Sequence, residues 1–170
     1  YKILAGDKNK PLFNRALQGT YPPGSTFKLI NGLIALQESA ITKYKKFNCN
    51  GDNGYSYGRD KHLGCHNHQT PLGLIKGIEI SCNAYFCNVY DKYFSEFSTI
   101  IDAYDNWEKH VSSFGIGSYM NNDFITGSTG DIPKSSYFEK LYRGSWDANT
   151  IISMAIGQGE LLVTPIQMAN

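Results

Sequence analysis

Ten residues, Tyr21-Pro22-Pro23-Gly24-Ser25-Thr26-Phe27-Lys28-Leu29-Ile30, constrain this chain more than any other stretch. Two prolines and a glycine make a stiff turn that cannot lie inside a helix. An apolar run follows at once: Phe27, Leu29, Ile30, Leu33, Ile34, Ala35 and Leu36. These positions lie nearly all round a helix, which predicts a buried central rod running to about Glu38. Ser25 falls at its start and Lys28 three residues on, so one face of the first turn carries a hydroxyl and an amine. A serine hydroxyl at neutral pH is a poor nucleophile without an adjacent base. A lysine amine can be that base when burial or a neighbouring cation keeps it neutral. The helix start adds partial positive charge and free backbone N–H groups, which suit an oxyanion. A serine cap followed by a solvated lysine is the plainer reading, and S-x-x-K alone does not exclude it.

A second element, Ser81-Cys82-Asn83, comes later in the chain. Its serine can relay a proton between a lysine and a leaving amine. Its asparagine can orient the lysine and hold a substrate carbonyl. By itself S-x-N is an ordinary turn or cap.

Together, Asn14-Arg15-Ala16, Gly19, the run from Tyr21 to Lys28, Ser81-Cys82-Asn83, Gly157-Gln158-Gly159 and Thr164 to Met168 resemble class B penicillin-binding proteins. The elongation-type branch, penicillin-binding protein 2, is the nearest match. The resemblance implies an α/β, serine β-lactamase-like transpeptidase fold. The family's third motif, K-[ST]-G on a strand, is absent, and Lys134-Ser135-Ser136 sits in an unsuitable context. A mainly helical part of that fold is therefore expected, with most of the central sheet missing. Residues 1–20 would be a lead-in, 21–40 the nucleophile helix, 41–82 an irregular region and 83–170 a helical region.

The resemblance further implies a D,D-transpeptidase that cross-links peptidoglycan stem peptides through an acyl-enzyme, with Ser25, Lys28, Ser81 and Asn83 as its catalytic set. It implies β-lactams and cell-wall elongation membrane proteins as partners. The site of action would be the periplasmic face of the bacterial inner membrane, with an N-terminal anchor outside this chain. The 170 residues alone would be acylated weakly or not at all. A non-catalytic penicillin sensor, or a serine β-lactamase relative, is the competing reading on the same fold.

Residues 41–69 lose hydrophobic periodicity, and a loop that long is usually functional or held by something. Cys49, Cys65-His66-Asn67-His68 and Cys82 place soft ligands around it. Cys49, Cys65, His68 (or His66) and Cys82 would make a closed structural zinc site of three thiolates and an imidazole. Some elongation-type relatives carry a metal here with mixed Asp, His and Cys ligands, so this Cys-rich set matches them in part. A disulfide such as Cys49–Cys65 also fits an exported family, but the Cys65-x-x-His68 pair adds an imidazole that a disulfide does not need and favours zinc; free thiols are the third possibility. Cys87 reads as a buried apolar residue and His62 as a solvated loop histidine. A net charge of +1 and 18% charged residues give no basis for nucleic-acid binding.

Local signals predict the remaining elements. Tyr1–Ala5 reads as a short strand, and Leu12, Phe13 and Leu17 as packing on the nucleophile helix. Thr70-Pro71 reads as N-cap and first residue of a helix ending at Ser81. Helices are expected over Asn83–Phe94 and from Ser98 or Thr99 to Phe114; within a loop-rich 115–146 the resemblance implies a short helix over Ser135–Tyr142. A helix or turn should follow Asp147, a tight turn should lie at Gly157–Gly159, and a last helix should open at Thr164-Pro165.

Overall fold

A computed structural model describes residues 1–119 and 127–170; the part of the expected loop at 120–126 lies outside them. The described helices are α1 (Lys2–Ala5), α2 (Arg15–Gln18), α3 (Lys28–Gln37), α4 (Leu74–Glu79), α5 (Asn83–Phe94), α6 (Ile100–Ser113), α7 (Ser135–Tyr142) and α8 (Pro165–Ala169). Strands are few among the described residues: β1 (Tyr55–Ser56) pairs antiparallel with β2 (His62–Leu63). Short 3-10 turns lie at Gly24–Phe27, Gly51–Asn53 and Ile152–Ile156.

Helix α5 is the centre of the packing. Its first turn is closed by Cys82, whose sulfur accepts from the Tyr85 backbone N–H at 3.3 Å. It buries Ala84, Tyr85, Phe86, Cys87, Val89, Tyr90, Tyr93 and Phe94, so nearly every side of it meets protein. Helix α6 is amphipathic and starts at the Thr99 cap, which accepts from Asp102 N–H. Ala103, Trp107 and Val111, spaced one turn apart, face inward with Tyr104. Trp107 meets Phe27 and Tyr90 edge-on, each at 6.0 Å between ring centres.

The Gly24–Phe27 turn runs straight into α3, which packs against α4, α5, α6 and the 152–156 turn. Asn31, buried in the middle of α3, ties these together. Its amide donates to the carbonyls of Met154 and Ala155 at 3.1 and 3.0 Å and accepts from the Trp107 indole at 2.9 Å. The Gly24 N–H donates to Gly157 O at 2.8 Å. Gly157 has φ +70°, and a Cβ there would fall 2.2 Å from the Gly24 carbonyl oxygen. Only glycine allows that approach, so the turn before Ser25 is fixed by backbone contact.

Several expectations need correction. Helix α3 is not buried all round: Leu29 and Leu33, one turn apart, are 51% and 53% exposed, and no described residue covers that stripe. Tyr1–Ala5 is not a strand but contains the exposed helix α1. Leu17 is buried, but α2 packs chiefly against α8, while Leu12 and Phe13 stay exposed. Thr70-Pro71 starts no helix. Its peptide bond is cis, the Thr70 hydroxyl accepts from Cys49 N–H at 2.9 Å, and Leu72 exchanges two backbone hydrogen bonds with Phe47. Those commitments hold the segment extended, and α4 begins only after Gly73. It ends at Glu79, before Ser81.

Helices α5 and α7 span the expected residues, and α8 opens at Thr164 with a reciprocal cap to Gln167. The stretch after Asp147 is turn followed by 3-10 helix.

Candidate active site and metal centre

Ser25 and Lys28 come from opposite ends of one tight turn. Ser25 is exposed and makes no side-chain hydrogen bond among the described residues. Lys28, the first residue of α3, is only 3% exposed. Its chain runs inward to where α4 ends and α5 begins. There Nζ lies 2.7 Å from Ser81 O, 2.9 Å from Ser81 Oγ and 2.7 Å from Asn83 Oδ1. The Phe86 ring is 5.8 Å from the nitrogen. Sequence reading placed these four residues in one site; the structure gathers Lys28, Ser81 and Asn83 directly, with Ser25 at the mouth of the same turn.

Local backbone explains the convergence. Ser81 N–H bonds to Ile78 O and Cys82 N–H to Gly77 O, closing off α4. Ser81 itself sits at φ +54°, a left-handed conformation uncommon for serine. That turn aims both its carbonyl and its hydroxyl at Lys28. Asn83 is fixed from the other side, where its amide donates to Gly64 O at 2.8 Å. Burial lowers the Lys28 pKa from the ordinary lysine value, while charge on Cys65, Cys82 or Cys87 would act in the opposite sense. The result is an amine that loses its proton more readily than a solvated one.

A second cluster touches the first. One donor atom each from Cys49, Cys65, His68 and Cys82 lies within 4.8 Å of all the others. Cys65 Sγ is 3.8 Å from Cys82 Sγ and 3.8 Å from His68 Nε2. Four ligands at Zn–S bonds of about 2.3 Å stand about 3.8 Å apart at the corners of a tetrahedron. The donor set and its spacing therefore fit a closed zinc site. His66 Nδ1 also approaches Cys65, at 3.8 Å, but His68 is the imidazole within the four-donor group. His68 Nδ1 lies 2.9 Å from Gln69 O, which orients Nε2 toward the sulfurs.

None of the four cysteines is paired, and the Cys49–Cys65 disulfide is not formed in this structure. Burial pushes the Cys82 thiol up to about 12. Burial also acts to raise Cys65, but amides of Ala84, His66 and Asn83 and the His68 ring outweigh it and bring that thiol down to about 6. Cys87 is buried on α5, and His62 is exposed in β2.

Asn31 and the Gly64 carbonyl escaped sequence reading. The only signal for Asn31 was a polar residue inside an apolar run, one turn beyond Lys28.

The penicillin binding protein transpeptidase domain matches residues 3–170. The chain belongs to that family. Among its transpeptidase relatives, the peptidoglycan D,D-transpeptidase MrdA of Escherichia coli K12 is 30% identical over 174 aligned residues, covering 100% of this chain and 26% of that protein. MrdA of Haemophilus influenzae is 32% identical over 100% of this chain and 25% of its own length. The chain thus spans about a quarter of the length of these relatives. The structure of Pseudomonas aeruginosa PBP2 in complex with WCK 5153 superposes with a TM-score of 0.80 at 29% identity, over 99% of this chain and 37% of that one. Helicobacter pylori PBP2 in complex with MreC gives 0.78 at 25% identity, over 98% and 30%. The chain is a mainly helical part of the transpeptidase fold.

Proposed function

We propose that this chain carries the nucleophile and proton-relay half of a peptidoglycan D,D-transpeptidase. The observation that supports it most is the Lys28 amine, buried and held by Ser81 and Asn83. A neutral amine has two N–H bonds and one lone pair. Ser81 O and Asn83 Oδ1 accept the two N–H groups, which leaves the lone pair for a hydroxyl. Ser25 Oγ attacks the carbonyl of the penultimate D-Ala in a stem peptide, and its proton passes to Lys28 Nζ. Ser81 Oγ, 2.9 Å from that nitrogen, relays a proton to the departing D-Ala amine. An ester on Ser25 remains, and an amine from a neighbouring stem peptide displaces it. The Ser25 backbone N–H, at a helical start and with no acceptor among the described residues, would stabilise the oxyanion.

Cys49, Cys65, His68 and Cys82 would hold zinc, whose contribution is to neutralise thiolate charge and anchor the 41–69 loop. Cys82 lies between Ser81 and Asn83, so fixing its sulfur fixes the two residues that hold Lys28. No open ligand position is needed, and the chemistry remains with the side chains.

The reading extends to the longer protein: β-lactams as acylating inhibitors, cell-wall elongation membrane proteins as partners, and the periplasmic face of the inner membrane as the place of action. Its support is the likeness to MrdA and to the PBP2 bound to MreC. No helix among the described residues is long and apolar enough to cross a membrane. The test is acylation of the full-length protein by a fluorescent penicillin, followed by stem-peptide cross-linking. Covalent label on the Ser25 peptide, absent in Ser25→Ala, is expected; label at another serine would refute the assignment.

A further inference from the structure

The three thiols around the active-site turn form a cluster that the acyl-transfer chemistry does not use. Cys65 Sγ and Cys82 Sγ are 3.8 Å apart and differ in access: Cys65 is partly exposed, Cys82 wholly buried. Cys82 sits between Ser81 and Asn83, and its sulfur also closes the first turn of α5 by accepting from Tyr85 N–H. We propose that peroxide joins Cys65 and Cys82 in a reversible disulfide that releases the metal and switches off acylation at Ser25. This rests on the site reading given above.

The steps balance. The Cys65 sulfur attacks one oxygen of hydrogen peroxide, the O–O bond breaks, water leaves and Cys65 becomes a sulfenic acid. The Cys82 thiolate attacks Cys65, the S–O bond breaks and the departing hydroxide takes a proton from solvent to become a second water. Two metal-bound thiolates have lost two electrons, and one peroxide, with two protons from solvent, has become two waters. An S–S bond is about 2.0 Å, so the sulfurs close by nearly 2 Å. The metal loses two thiolate ligands at once and cannot stay in a closed site. The movement draws Cys82 off the Tyr85 N–H and displaces its neighbours, the Ser81 and Asn83 groups that hold Lys28. A misplacement of about 1 Å at such a group can cost on the order of 10²-fold in rate. A ligand set with carboxylates in place of these sulfurs has no such sensitivity.

The experiment uses zinc-loaded full-length protein with and without hydrogen peroxide. Expected are a Cys65–Cys82 cross-link in non-reducing peptide maps, zinc released to a chromogenic chelator, and fluorescent-penicillin acylation at least tenfold slower. Dithiothreitol plus zinc should restore it. In Cys65→Asp, the ratio of treated to untreated rates should stay near one, whereas Cys87→Ala should respond like the unmodified protein. Retention of free thiols and zinc, a cross-link between other cysteines, or a cross-link without loss of acylation would each overturn the proposal. If the untreated protein is not acylated, the function above fails, while the peptide map and zinc release still decide whether the disulfide forms.

Discussion

Lys28 Nζ lies 2.7 Å from Asn83 Oδ1, across 55 positions of sequence, at the point where α3 meets the first residue of α5. Ser81 supplies two more oxygens to the same nitrogen. The amine has therefore been taken out of water without losing its hydrogen bonds, which is the arrangement a lysine base requires.

Replacing Lys28 with Met removes the proton acceptor and should slow fluorescent-penicillin acylation by roughly 10²–10⁴-fold. Lys28→Arg should fail almost as badly, because a guanidinium keeps its proton and does not fit the same three oxygens. Stopped-flow labelling of the full-length protein measures both.

The pH dependence has a definite sign. Burial lowers the Lys28 pKa in the folded state below its unfolded value, so the folded chain gives up that proton at a lower pH than the unfolded one. Acylation should rise with pH through that lowered pKa and then level off, read from a rate profile. Stability should move the same way. Between the folded and unfolded pKa values the unfolded chain binds more protons, so this residue's contribution grows with pH across that window and is lost as pH falls through the folded value. Lys28→Met should flatten both dependences.

Asn31→Leu should destabilise by about 1–3 kcal/mol, measured by urea unfolding. The change leaves Met154 O, Ala155 O and the Trp107 indole N–H without the amide that now pairs with all three. Pairing it with Trp107→Phe should cost less than the sum of the single changes, because the indole is then no longer stranded.

Metal removal should be visible without any assay of activity. Chelation should lower the Tm of the full-length protein; zinc at about 100-fold over its Kd stabilises by about 2.7 kcal/mol. Metal analysis should find one zinc per chain, and less than a tenth of that in Cys65→Ser. His68→Ala should lose zinc, while His66→Ala should keep it.

Motifs with chemical meaning were legible before the structure. The Thr164 cap and the spans of α5 and α6 followed from caps and periodicity, because those signals act within one turn of helix, whereas α7 was expected from the resemblance. The grouping of Lys28 with Ser81 and Asn83 was readable from motif order. What escaped depended on distant partners. Thr70-Pro71 carries a helix-start signature, yet its threonine is engaged by Cys49 and its neighbour Leu72 by Phe47. Leu29 and Leu33 are as apolar as Ile30 and Ile34, so composition alone does not say which stripe of α3 other elements cover. The same limit hid Asn31, whose three partners come from the other side of the fold.

Cys82 is answerable to three neighbours at once. Its sulfur finishes a helix, completes a soft donor group and stands between the two residues that steady a base. Serine would satisfy the helix but bind a soft ion poorly. Aspartate would serve helix and ion, yet bring a full negative charge close to the amine and favour its protonated form. A substitution that repairs one duty disturbs another, so drift in this neighbourhood should begin at Cys49 or His68 and reach Cys82 last.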